Sequence, residues 1–153
     1  MSATIRVEGL DETLKAFEKF GSAGDREVKK ATRASLERVR GTAIKSIQQG
    51  PKSGIIYERS PGQNLSQTHQ ASAKGQAPAT DTGTLVNSIK VTQTSSHSGE
   101  VGSGLQYAFW LEYGTINMDE RPWLRPALKK NQQWIVDRYA KALETATRAY
   151  YGR

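Results

Sequence analysis

The chain contains no cysteine. That excludes disulfides, thiolate metal sites and a cysteine nucleophile together, and it fits a protein made in a reducing compartment. Long apolar runs are missing too. The opening residues lack the apolar core of a signal peptide, and no later stretch reaches the roughly 20 apolar residues of a membrane span, so a soluble, unsecreted product with no membrane partner is expected. Familiar catalytic signatures are also absent: no nucleophile elbow, no Gly-rich phosphate loop with its lysine, no His-Glu-x-x-His metal site. No cofactor and no metal are expected. Of the two histidines, His69 and His97, each sits in polar, turn-like sequence, where an imidazole is expected as a solvated surface group.

What is present fits a single domain over residues 1–153, with 36% hydrophobic residues to build a core. The net charge of +7 is spread along the chain rather than gathered in a tail. Such a field favours proximity to nucleic acid or acidic surfaces without identifying either.

Residues 4–8 alternate apolar and polar as a short strand does. Asp11 then stands as a cap before Leu14, Phe17 and Phe20 at helical spacing, with Gly21 and Gly24 to end that helix. From residue 25 to about 49, Val28, Ala31, Leu36, Val39, Ala43 and Ile47 fall on one arc of a helical wheel, and Arg26, Lys29, Lys30, Arg33 and Arg40 fall on another. The basic arc is a candidate DNA-facing surface, with an ordinary solvated face as the simpler reading. Gly50 and Pro51 stop the helix, and residues 51–80 show no sustained period, which predicts a long flexible arm that orders on assembly.

Order returns at Asp81 and Thr82, candidate N-caps of a short helix anchored by Leu85 and Ile89. Residues 90–94 and 100–102 read as two strands around a Ser- and Gly-rich turn. Tyr107, Phe109, Trp110 and Tyr113 crowd a short helix that Gly114 ends, and their side chains are expected to be largely buried at the centre of the core. Leu124, Leu128, Ile135, Tyr139, Ala142 and Ala146 follow a helical period from near Pro126 to about residue 150. The architecture expected is α+β: a small antiparallel sheet packed against two long helices, with a long extended loop or arm.

Glu112, Asp119 and Glu120 lie close enough in sequence to suggest paired carboxylates for glycoside cleavage. Arg121 and Arg125 are equally near, so an ion-pair network is the stronger expectation, and no catalysis is expected. Pro122 and Pro126 bracket Trp123 and Leu124 in a stiff elbow that aims the last helix. Trp110 and Trp123 are assigned to the core in preference to a subunit interface.

Three stretches, in this order, carry a resemblance. The first runs from His69 to Pro78 into Asp81, Thr82 and Gly83, with Leu85, Ser88 and Ile89; the second runs from Tyr107 to Thr115 and contains Trp110, Glu112, Tyr113 and Gly114; the third runs from Arg121 to Leu128 and contains Pro122, Trp123, Leu124, Arg125 and Pro126. Together they resemble the minor neck proteins of long-tailed bacteriophages, the head-tail joining or tail-completion proteins of lambdoid-type phages. The chain departs from that pattern at Trp123, where the smaller Phe is expected, and over residues 116–120, where a shorter link is usual. The resemblance implies a virion structural protein of phage or prophage origin, assembled in the host cytoplasm. It implies a ring of the chain itself, with a hexamer matching tail symmetry, held between the connector and the tail-tube or tail-terminator proteins. DNA then passes through the ring's channel. A small DNA-binding module using residues 25–49 is the alternative.

Overall fold

The computed structural model describes residues 10–58 and 68–151, apart from the side chains of residues 10–20, 22–23 and 150–151. The strand expected at residues 4–8, and the side chains of Asp11, Leu14, Phe17 and Phe20, lie outside the described residues. The fold is α+β, as expected, with two separate antiparallel hairpins rather than one small sheet.

Helix α1 (Leu10–Gln49) runs for 40 residues and is kinked at Gly21, whose φ of 58° and ψ of −151° are not helical. Gly24, read as a helix end, instead lies within it. Helix α4 (Leu124–Tyr151) packs along α1. Their contact is made largely of small residues: Ala31 and Ala43 on α1, and Ala127, Ala142 and Ala146 on α4, are all buried. Small side chains let helix backbones approach closely, and Val28, Val39 and Ile47 fill the space beside them. Leu128, expected on this stripe, is exposed, because the buried line runs through its neighbour Ala127 and then Asn131.

Two polar ties fix the register of α1 against α4. Buried Asn131 donates from Nδ2 to Thr42 Oγ1 (2.9 Å) and to the Ala127 carbonyl (2.8 Å), while its Oδ1 accepts from Arg38 Nε (3.0 Å). Every hydrogen-bonding atom of that amide is therefore used. Thr32 Oγ1 lies 2.7 Å from the Tyr139 hydroxyl, 2.8 Å from the Ser96 carbonyl and 3.0 Å from the Val28 carbonyl. Having one proton, it donates to one carbonyl at a time while accepting from Tyr139, and so joins α1, α4 and a turn. Asn131→Ala is expected to lower unfolding stability by about 1–3 kcal/mol by stranding the Thr42 and Arg38 groups. Chemical denaturation measures it, and an unchanged midpoint would contradict this role.

Strands β3 (Ile89–Gln93) and β4 (Gly99–Ser103) form a five-pair antiparallel hairpin, as expected, that packs on α1. Gly99 sits where a Cβ would come within 2.8 Å of the Thr92 carbonyl oxygen on the paired strand, backbone that cannot swing aside, which favours glycine there. The preceding short helix α2 (Thr84–Ser88) places Leu85 and Val86 in the core, next to the fully buried Ile89. Neither Asp81 nor Thr82 is its N-cap: Gly83 holds that position, with no side-chain cap.

Among the described residues of 51–80 there is more structure than their composition predicts. Strand β1 (Ile56–Glu58) pairs with β2 (Thr68–Gln70), Ile56 opposite Gln70. The base of this hairpin continues through Gly54 N–H to the Ala71 carbonyl and Ala71 N–H to the Ile55 carbonyl. It is pinned to the body by Gly75 N–H donating to the Glu120 carbonyl, Arg121 Nε to the Ser72 carbonyl, and Thr80 Oγ1 to the Ile47 carbonyl.

Candidate assembly surface

Helix α3 (Gln106–Tyr113) joins β4 to the loop that precedes α4. Eight residues make just over two turns, and one side of so short a helix faces the core. The residues on that side are Ala108 and Glu112, both buried. The aromatics expected at the centre of the core instead point outward: Phe109 is 62% exposed and Trp110 43%, and Tyr107 and Tyr113 are also exposed. Of the two tryptophans assigned to the core, only Trp123 is there, 3% exposed, its indole Nε1 donating to the Ala108 carbonyl at 3.3 Å.

Glu112 explains why α3 turns its aromatics outward. Its Oε2 accepts from the backbone N–H groups of Trp123 and Leu124, each at 2.8 Å. Its Oε1 accepts from Arg125 N–H at 2.8 Å and from Arg125 Nε at 3.0 Å. A helix start leaves its first N–H groups without partners and carries partial positive charge, so this carboxylate caps α4 from another helix. Four donors fill its four lone-pair positions. Helix α3 is thereby oriented with Glu112 inward, and the four aromatics, one to five residues away, are left exposed.

Around this cap the other charges are distributed differently from the expectation. Arg125 also reaches Glu120 Oε2 at 2.6 Å and the Glu112 carbonyl at 2.7 Å. Glu120 first, then Glu112, hold its pKa above the ordinary guanidinium value. Arg125 further lies over the Tyr113 ring, 4.8 Å from its centroid. Arg121 takes no part in this carboxylate network and binds the Ser72 carbonyl instead. Asp119 pairs with Lys74 at 2.9 Å, which raises the lysine pKa.

Gly114 ends α3 with φ of 76°, and a Cβ there would meet the Met118 carbonyl oxygen at 2.9 Å. The turn it allows closes through Thr115 N–H to the Met118 carbonyl and Arg121 N–H to the Leu111 carbonyl. Ile116, at its tip, is fully exposed. Pro122 lies in the elbow before α4, and Pro126 falls in the first turn of α4, where its missing N–H is tolerated. Ser88 bonds Ser103 across the start of the β3–β4 hairpin.

The basic arc of α1 is divided. Arg26, Lys29, Lys30 and Arg33 are exposed, but Lys30 pairs with Glu27 and Arg33 with Glu37 along the helix. Arg40 donates from Nε to the Ile89 carbonyl at 2.8 Å, which fastens α1 to β3. Of the histidines, His97 is exposed, whereas His69 is partly buried with Nδ1 3.9 Å from Asp81 Oδ1, a placement that a solvated surface group does not have. No helix among the described residues is long and apolar enough to cross a membrane.

Two long packed helices, two antiparallel hairpins and a short helix with exposed aromatics make up the described fold. Its family is shown directly: residues 11–114 match the family model described as "Bacteriophage HK97-gp10, putative tail-component". The chain belongs to this HK97 gp10-like family and so to the tail components of bacteriophages. The match spans α1 to the end of α3, including the first two stretches read from the sequence; the elbow at residues 121–126 lies beyond it. No curated protein and no solved structure showed significant similarity.

Proposed function

We propose that the chain is a non-enzymatic structural subunit of the phage neck that assembles as a ring, six copies matching tail symmetry, and joins head to tail. Its partners are then further copies of itself, the connector, and the tail-tube or tail-terminator proteins, and its location is the virion, after assembly in the host cytoplasm. The observation that carries the reading is membership of a phage tail-component family over residues 11–114. The aromatic side of α3, left uncovered in a single chain, supports an assembling role. A purely structural role for Glu112 is supported by its four donors, which leave no lone pair for proton transfer.

The experiment is genetic. A nonsense mutation in this gene of the phage that encodes it is expected to yield filled heads and separate tails, with joining restored when purified protein is added. Joined, infectious particles in its absence contradict the reading.

The exposed Arg26, Lys29, Lys30 and Arg33 keep a second reading open, a small DNA-binding module on α1. Neutralising Arg26, Lys30 and Arg33 to Gln separates the two. A neck subunit loses little affinity for free duplex DNA because it has little. A DNA module loses tenfold or more and shows a shallower salt dependence.

A further inference from the structure

We propose that neighbouring copies of this chain join by the β1–β2 hairpin of one copy lying across the aromatic face of α3 in the next. The inference rests on the ring reading above and names the contact that would build it. Two apolar surfaces are left bare in the single chain. One is the hairpin, where Ile55, Ile56 and Tyr57 are 69%, 61% and 54% exposed. Successive residues of a strand point to opposite faces, so both faces of β1 are uncovered. A two-stranded hairpin of three-residue strands is not stable alone in water, and here it is held by backbone bonds at its base and by His69 of β2 beside Asp81. The other surface is α3, where the Phe109 and Tyr113 rings lie tilted with centroids 4.8 Å apart, and Trp110 and, in the turn that follows, Ile116 are also exposed.

A second copy is the occupant that both surfaces call for. They differ in kind, one a strand pair and the other a helix side, so the contact is heterologous: each copy gives its hairpin and receives another. When such a ring closes, every α3 face and one face of every hairpin is covered. The α3 patch and the one face of β1 laid on it fall short of the roughly 1,000 Å² that a stable pairwise interface buries, so the contact is one that holds when repeated around a closed ring. Aromatic residues of this kind are also the usual anchors of protein interfaces.

The absence of cysteine permits a direct test. Single variants placing cysteine at Ile55, Ile56 or Tyr57 are mixed in pairs with variants placing it at Phe109, Trp110 or Tyr113, under a mild oxidant and at a concentration where light scattering shows assembly. The expected result is a disulfide-linked dimer containing one chain of each kind, formed in mixtures and not by either variant alone. In parallel, Ile56→Asp and Trp110→Asp are expected each to raise the concentration for half-assembly by about thirtyfold or more, with thermal unfolding of the monomer unchanged. Crosslinks within a single variant, or a ring that forms without mixed crosslinks and tolerates both aspartates, overturn this contact and leave the ring standing. A chain that stays monomeric at every concentration, alone and with its neck partners, overturns the ring and this contact together.

Discussion

Glu112→Ala is expected to lower the unfolding free energy by about 3–5 kcal/mol, the range for removing one partner of a buried charged network. The loss comes mainly from the backbone. Without the carboxylate, the N–H groups of Trp123, Leu124 and Arg125 have no acceptor, and they lie at the buried junction of α3 and α4. Arg125 contributes less, because its side chain is half exposed and retains Glu120. Arg125→Ala is therefore expected to cost less than Glu112→Ala. Glu112→Gln keeps one oxygen but turns an NH₂ donor toward groups that are themselves donors, and should fall between the two. Guanidinium denaturation with linear extrapolation distinguishes all three. A Glu112→Ala protein as stable as the parent would show that water caps α4 equally well.

The second large effect is a contrast between two tryptophans. Trp123→Ala should cost about 3–5 kcal/mol, since it opens a cavity beside Ala108 and Ala127 and removes the indole donor from the Ala108 carbonyl. Trp110→Ala, at an exposed site, should stay within about 1 kcal/mol of the parent. The same measurement on both variants tests the orientation of α3. Were Trp110 the costly one, the helix would have to be turned with its aromatics inward.

Parts of this arrangement were legible in the sequence and parts were not, for physical reasons. The long helices announced themselves because Val28, Ala31, Val39, Ala43 and Ile47 on α1, and Ala142 and Ala146 on α4, repeat at helical spacing and are in fact buried. Strands β3 and β4 were readable from the turn between them. Strand β1 was not, since all three of its residues are exposed and no alternation of apolar and polar marks it. The α3 aromatics were misplaced by a sound general rule, that large aromatics bury themselves within their own domain. What defeats the rule is one acidic residue in the middle of the run. A glutamate four residues after Ala108 carries no helical-wheel signal of burial, and its value as a cap exists only once α4 begins eleven to thirteen residues further on. The signal available was the conjunction of a lone carboxylate inside an aromatic segment with a nearby helix start that lacks its own Ser, Thr, Asp or Asn cap. Arg121 was assigned to the carboxylates by proximity in sequence, whereas the fold brings the Ser72 carbonyl to it instead.

The same geometry links fold to assembly. Because Glu112 must face the start of α4, α3 is held in the orientation that leaves Phe109, Trp110 and Tyr113 exposed, so the interaction that stabilises the monomer also presents the surface proposed for the ring. The most direct test is the solution mass by light scattering, measured for the chain alone and with the connector or tail-tube protein of the same phage. The account predicts a closed oligomer of one uniform mass, formed by the chain itself or on its partner, and lost in Trp110→Asp. A monomer of unchanged mass with every partner and at every concentration would contradict it.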